Sequence, residues 1–135
     1  MNESVTPGRE PTPRELEILK VLWELGSASV RHVHQSLTIR EPELAFNTVQ
    51  TMLRLMEGKG LVDHVQTGRT FVYSARFSRD ETARRFLLRV FDGMASQLVL
   101  SLLRSEEVSY EELDRMQTMI QSARRQARRE HGGRA

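Results

Sequence analysis

Residues 45–75 read AFNTVQTMLRLMEGKGLVDHVQTGRTFVYSA, and this stretch decides the fold of the 135-residue chain. Its first half predicts a helix over 45–59 that stops at Gly60, because apolar residues recur there at helical spacing. Its second half contains two short β-rich runs, LVDHVQ and TFVYSA, joined by the glycine-containing turn TGR. Two such runs predict a β-hairpin, so the helix leads directly into a hairpin.

The residues before this stretch predict two more helices. Thr12-Pro13-Arg14-Glu15 is a capping box with proline at the first helical position, which predicts a helix to about Leu25. The next residues, 27–29, are compatible with a short strand, and Ser29 can cap a second helix over 30–37. The order of helix, strand, helix, helix and hairpin is typical of a winged helix-turn-helix.

The rest of the chain predicts helices alone, so the fold class is mainly α with a small β-hairpin wing. We expect a winged helix-turn-helix over 12–77 and a C-terminal helical dimerisation domain over 78–129, opened by a capping box at Ser78. The polar ends, 1–11 and 130–135, are expected to be a disordered arm and a disordered tail.

A repeating apolar pattern in the last predicted helix indicates a dimer seam. Leu113, Met116, Ile120, Ala123 and Ala127 follow one another at intervals of three, four, three and four residues, as in a coiled coil. A helix that packs on its own chain has the same spacing, so the pattern alone leaves both interpretations open. Dimerisation solves the burial problem of three amphipathic helices. The residues predicted to form the interface are Leu98, Leu102, Leu113, Met116, Ile120 and Ala123.

One face of the helix over 45–59 has the side chains that read DNA bases. A core-facing stripe centred on Val49 and Leu53 leaves Asn47, Thr51 and Arg54 on the opposite side of the helix. Asparagine and glutamine can pair with adenine, arginine with guanine, and a threonine methyl can contact thymine. The alternative is an ordinary solvated helix face. The predicted DNA-binding residues are Asn47, Thr48, Gln50, Thr51, Arg54, Arg69, Ser29, Arg31 and His34, with His64 a weaker candidate.

Total charge does not identify a partner. The chain has 20 basic and 18 acidic side chains, and splitting it after Phe77 gives nine of each in the first part. The second part has the remaining 11 basic and nine acidic residues, a net charge of +2. Much of this excess is the terminal run of Arg124, Arg125, Arg128 and Arg129, and a DNA-binding role must therefore rest on the position of particular side chains.

Several kinds of chemistry are excluded or not expected. The chain has no cysteine, which excludes disulfides, thiolate metal sites and a cysteine nucleophile. His32 and His34 point about 200° apart on a helix and cannot chelate one ion together. With no glycine-rich phosphate loop, metalloprotease histidine pair or nucleophile elbow, we expect no enzyme activity and no cofactor. No stretch has the length and apolarity of a membrane span or a signal peptide, so a cytoplasmic protein without membrane insertion is expected.

The chain closely resembles the winged-helix repressors of penicillinase and methicillin-resistance genes in three stretches, PTPRELEILKVLWELGSASVRHVHQSL, AFNTVQTMLRLMEGKGLV and TFVY. This family also includes copper-responsive repressors. The resemblance covers about residues 11–125 and implies a homodimeric transcriptional repressor on a palindromic operator. It implies that the helix over 45–59 reads the DNA.

Two departures from the family concern the releasing signal. In β-lactam-responsive members an Asn-Phe bond is cut after a membrane sensor-protease is activated, whereas the matching pair in this chain is Ser101-Leu102. Copper-responsive members have a cysteine-rich C-terminal metal site, which this chain lacks. We therefore expect a repressor released by a signal on its C-terminal domain, with proteolysis one such signal. A winged-helix protein-interaction module and a repressor released by a small-molecule effector are the alternatives.

Overall fold

A computed structural model describes residues 10–132. In chain order it contains α1 (Pro13–Leu25), β1 (Ala28–Ser29), α2 (Val30–Thr38), α3 (Phe46–Gly58), β2 (Val62–Thr67), β3 (Thr70–Ala75), α4 (Arg79–Phe91), α5 (Ala95–Arg104) and α6 (Tyr110–Gly132). The described residues thus form six helices and one small antiparallel sheet, which confirms the predicted fold class. Residues 1–9 of the predicted arm and 133–135 of the predicted tail lie outside the described part.

Side-chain caps fix the beginnings of α1, α2 and α4, as the sequence predicts. The Thr12 hydroxyl accepts from the amide of Glu15, whose carboxylate accepts in return from the amide of Thr12. Ser78 and Glu81 form the same reciprocal box at the start of α4. The Ser29 hydroxyl accepts from the amide of His32 at the start of α2. Each cap satisfies amides that have no partner within the helix, so these starts are defined locally.

The sheet joins the predicted hairpin to the short strand before α2. Its order is β1-β3-β2, and all neighbours are antiparallel. Thr67 lies opposite Thr70, which leaves a two-residue turn, and Gly68 at that turn has φ 64°. A positive φ is the conformation that the tight hairpin turn requires and that glycine adopts without strain. The wing is therefore a tight hairpin anchored through β3 to the residues that open α2.

The core lies between α1, α2, α3 and the sheet. Eleven apolar residues are buried in it, and α3 contributes a complete stripe of Val49, Leu53 and Met56. Leu53 and Met56 are 0% exposed, and Tyr73 of β3 is only 1% exposed. The other members are Ile18, Leu19, Leu22, Ala28, Val33, Leu44 and Val62. Burial of this stripe fixes the rotation of α3 about its own axis.

An ion pair with a buried carboxylate joins the start of α1 to the end of α3. The Glu15 side chain is 5% exposed, and its second carboxylate oxygen accepts a hydrogen bond from the ammonium of Lys59. Burial alone would raise the pKa of Glu15, but the bonds from Lys59 and Thr12 outweigh it and hold the pKa below its usual value. Glu15 thus closes its own helix cap and anchors the residue that caps α3 at its C-terminal end.

The chain divides into two compact units after Gly93, so α4 belongs to the first unit. The boundary predicted from the sequence lies after Phe77 instead. Two contacts join α4 to earlier residues: the guanidinium carbon of Arg79 lies 5.5 Å from the centre of the Trp23 ring, and Arg89 pairs with Glu10 at 3.1 Å. The second unit contains α5 and α6, and α6 continues through Gly132, so residues 130–132 of the expected tail are helical.

The helices after the wing have no buried residue of their own. In α4, α5 and α6 every described side chain is at least partly exposed, although many are leucine, valine or phenylalanine.

In the part of the chain that is described, no single helix is long and apolar enough to cross a membrane. Only α4 and α5 counted together meet that criterion by length and composition.

Replacing Leu53 by alanine should lower the free energy of unfolding by about 2 to 5 kcal/mol, because it leaves a cavity under α3. Leu55 of the same helix is 59% exposed, so Leu55→Ala is a matched control. It should change the free energy of unfolding by less than about 0.5 kcal/mol. Urea denaturation of the full chain at one protein concentration measures both. Equal effects would contradict an α3 that buries Leu53 and exposes Leu55.

Candidate nucleic-acid interface

Three elements of the first unit form one open groove of about 920 Å³. The start of α2 forms one wall, the exposed side of α3 another, and the wing hairpin the third. The polar or aromatic side chains that line it are Ser27, Ser29, Arg31 and His32 at and before the start of α2, Phe46, Gln50 and Arg54 from α3, and Thr67, Arg69, Thr70, Phe71 and Tyr73 from the wing.

α3 has two sides of opposite character. Its inner stripe is buried, whereas Asn47, Thr48, Thr51 and Arg54 are exposed and Gln50 is half-buried. Gln50 and Arg54 face the groove, while Asn47, Thr48 and Thr51 do not line it. Amide, hydroxyl and guanidinium groups therefore project from the outer side of a helix whose inner side is fixed by packing.

The groove is positively charged although the first 77 residues contain equal numbers of basic and acidic side chains. Arg31, Arg54 and Arg69 come from three different elements and line it together, and no aspartate or glutamate of residues 10–132 lines it. Three guanidinium groups around one open groove attract an anion with several phosphates. Local charge thus differs from the total charge of the domain.

Ion pairs elsewhere account for several of the carboxylates. Arg14 pairs with Glu41 at 2.7 Å, and Arg76 binds Asp63 through two nitrogen atoms. The Arg14 guanidinium holds the pKa of Glu41 below its usual value, and the Arg76 guanidinium does the same for the pKa of Asp63. These carboxylates are charged and held beside their partners, outside the groove.

Two predicted residues have structural partners. The His34 Nε2 donates to the Leu44 carbonyl at 2.7 Å, and the ring packs edge-on against Phe46. His34 does not line the groove; it holds the turn before α3. The Ser29 hydroxyl accepts from the α2 backbone, but its hydrogen can still donate toward the groove.

The weaker candidate His64 connects α3 to the wing. Its Nδ1 lies 2.7 Å and 2.9 Å from the carboxylate oxygens of Glu57, and its ring stacks on Phe71 at 4.1 Å. A carboxylate only accepts hydrogen bonds, so Nδ1 carries the proton. His64 therefore positions Phe71 at the groove wall.

The aromatic and threonine part of the groove was not predicted from the sequence. Phe46 is 42% exposed and precedes Gln50 and Arg54 by one and two helical turns, so helical spacing could have included it. Thr67 and Thr70 flank the hairpin turn as a directly opposed pair. Phe71 and His32 gave no sequence signal, because their inclusion depends on how the wing lies against α2 and α3.

In the second unit, the predicted dimerisation residues are apolar side chains that are exposed or half-buried. Leu102 is 41% exposed, Leu113 38% and Ile120 51%. Ala123 is exposed as well, and Leu98 and Met116 are half-buried. Ser101 and Leu102, the pair that differs from the Asn-Phe bond of β-lactam-responsive repressors, lie within α5 and are exposed.

Comparison with known proteins gives consistent matches. The profile of the family described as penicillinase repressor matches residues 11–122. The penicillinase repressor of Bacillus licheniformis is 29% identical over 111 residues, which cover 79% of this chain and 86% of that protein. The methicillin resistance regulatory protein MecI of Staphylococcus epidermidis is 20% identical over 115 residues, covering 82% of this chain and 93% of that protein.

Proposed function

This chain belongs to the penicillinase repressor family, and we propose that it represses transcription as a homodimer that binds a palindromic operator through α3 and the wing. Repression of transcription follows from the family, whereas the dimer, the operator and the release are our proposal. The observation that carries it is the groove in which Arg31, Arg54 and Arg69 meet beside the exposed polar side of α3.

The proposed contacts divide into base reading and backbone binding. Asn47, Gln50, Thr51 and Arg54 enter the major groove, where their side chains match the donor and acceptor patterns of base edges. The backbone contacts are Thr48, Ser29, Arg31 and Arg69, which offer hydroxyl and guanidinium donors to phosphate. His34 is left out of this set because its ring nitrogen already donates to Leu44.

Dimerisation supplies the affinity that one winged helix of this size lacks. No residue of α4, α5 or α6 is buried, so the apolar side chains of these helices are at least partly exposed. A second copy of the chain can cover them. The interface we propose contains Leu98, Leu102, Leu113, Met116, Ile120 and Ala123. Two copies of α3 then lie in successive major grooves about 34 to 36 Å apart.

Release of the operator follows from loss of this pairing. Any signal that disrupts the C-terminal helices separates the two DNA-binding units and removes the gain from simultaneous binding. Proteolysis within α5 is a signal of this kind, since Ser101 and Leu102 are exposed. A membrane sensor-protease system is the partner that such a route requires.

Arg54→Ala should weaken binding to the operator duplex by about 1 to 3 kcal/mol and relax base preference at one position of each half-site. The control is Arg84→Ala, which removes an equal charge from an exposed position of α4 outside the groove. Fluorescence anisotropy on a duplex selected by the wild-type protein, and on its single-base variants, measures both effects. If the base preference is unchanged, Arg54 is not one of the residues that read bases.

Leu113→Asp combined with Ile120→Asp should give a monomer that binds the operator about 100-fold or more weakly, because the second half-site no longer adds to the affinity. Gln117→Asp combined with Gln121→Asp adds the same charge to exposed positions of α6 outside the seam and should leave the oligomeric state unchanged. Sedimentation equilibrium gives the oligomeric state and anisotropy gives the affinity. Monomers that bind as tightly as the wild type contradict the proposed mechanism.

A further inference from the structure

The C-terminal half of α6 carries a concentrated positive charge that the proposed function does not use. Four arginines occur within six residues and all four are exposed. We call Arg124, Arg125, Arg128 and Arg129 the arginine surface. No other described helix has such a run.

The arginine surface has no carboxylate partner among the described residues. Arg125 donates to the Ser122 hydroxyl at 3.3 Å and Arg129 to the Gln126 side-chain oxygen at 3.3 Å, both neutral groups. Arg115, in the first half of the same helix, instead binds the Glu112 carboxylate at 2.6 Å. The four guanidinium groups therefore keep most of their donors available.

Helix stability does not account for this clustering. Arg124 with Arg128, and Arg125 with Arg129, are like-charge pairs four residues apart, an arrangement that destabilises a helix. The helix dipole favours cations only within the last turn, which contains Arg129. An anion from outside the helix would offset the mutual repulsion of the other three.

The arginine surface lies away from the proposed dimer seam. At about 100° per residue the four arginines span about 140° of the helix circumference, centred about 130° from the seam. Leu113, Met116 and Ile120 of the seam are in the first half of α6, and Ala123 directly precedes the arginines. Arg124 is the arginine nearest to the seam, about 60° from its centre. Pairing through the seam thus leaves most of the arginine surface accessible.

The side chains select phosphate rather than a lipid surface. All four are arginine, whose planar fork binds phosphate oxygens in pairs. Residues 121–132 contain no leucine, isoleucine, valine, methionine or aromatic residue other than histidine. A helix that lies in a bilayer needs an apolar face of such residues beside its basic face. The basic half of α6 lacks that face.

We propose that the arginine surface is a second DNA-binding site, which contacts the phosphate backbone of duplex DNA without reading its sequence. The inference rests on the proposed function in that the protein binds duplex DNA. It assigns sequence-independent affinity to α6, whereas the groove beside α3 provides base recognition. The winged helix has equal numbers of basic and acidic side chains, and its positive charge is confined to one groove. The arginine surface would add phosphate contacts outside that groove.

The test measures binding to a random-sequence duplex of about 40 base pairs at a series of salt concentrations. The variant changes all four arginines to glutamine, which keeps helix propensity and removes the charge. In a matched control all four become lysine, which keeps the charge. A milder variant, Arg124→Gln with Arg125→Gln, serves if the fourfold variant does not fold by circular dichroism. All proteins are compared at concentrations where sedimentation gives the same oligomeric state.

We expect the fourfold glutamine variant to bind this duplex about tenfold or more weakly at low salt. The slope of log affinity against log salt should fall by one or more, up to about 3.6 per protomer if each arginine contacts one phosphate. The lysine control should keep most of the slope, and the double variant should lose about half as much as the fourfold one. A change in slope of less than about one overturns the proposal.

Two other results also overturn it. If the glutamine variant keeps its DNA slope but no longer associates with itself, the arginine surface binds the acidic segment of a second copy. If the glutamine variant keeps the slope but no longer binds vesicles of phosphatidylglycerol, the arginine surface binds anionic lipid instead of DNA. Failure of the proposed function is recognised separately, because the wild-type protein would then prefer no sequence over the random duplex.

Discussion

The burial of one stripe of α3 is the constraint on which the DNA-binding surface depends. Val49, Leu53 and Met56 are at most 1% exposed, so α3 cannot rotate without bringing apolar side chains into water. That orientation puts Asn47 and Arg54 outside. The Glu15–Lys59 pair adds a second restraint at the C-terminal end of the same helix.

Charge is organised locally in this protein rather than through a large total. Several acidic side chains of the first unit are held beside basic partners, as in the pairs of Glu41 with Arg14 and Asp63 with Arg76. Three arginines from separate elements then line a groove without a carboxylate. Balanced composition and a positively charged binding surface are therefore compatible.

Local signals in the sequence predicted most of the fold. The capping boxes at Thr12 and Ser78, the apolar stripe of α3 and the hairpin turn all depend on residues a few positions apart. The bond from His34 to Leu44 was missed, because it depends on a tertiary contact. The Trp23–Phe77 hydrogen bond likewise joins residues 54 positions apart.

The candidate site was predictable on α3 and only in part on its neighbours. Helical spacing identified Gln50 and Arg54, but the place of Phe71 beside them requires the packing of the wing.

The most direct measurement of DNA recognition through α3 is selection of binding sites from a pool of random duplexes by the wild-type protein. A homodimer that reads DNA through α3 should select an inverted repeat whose half-site centres lie about 10 base pairs, or a multiple of that, apart. A single asymmetric half-site, or no enriched sequence, would contradict it.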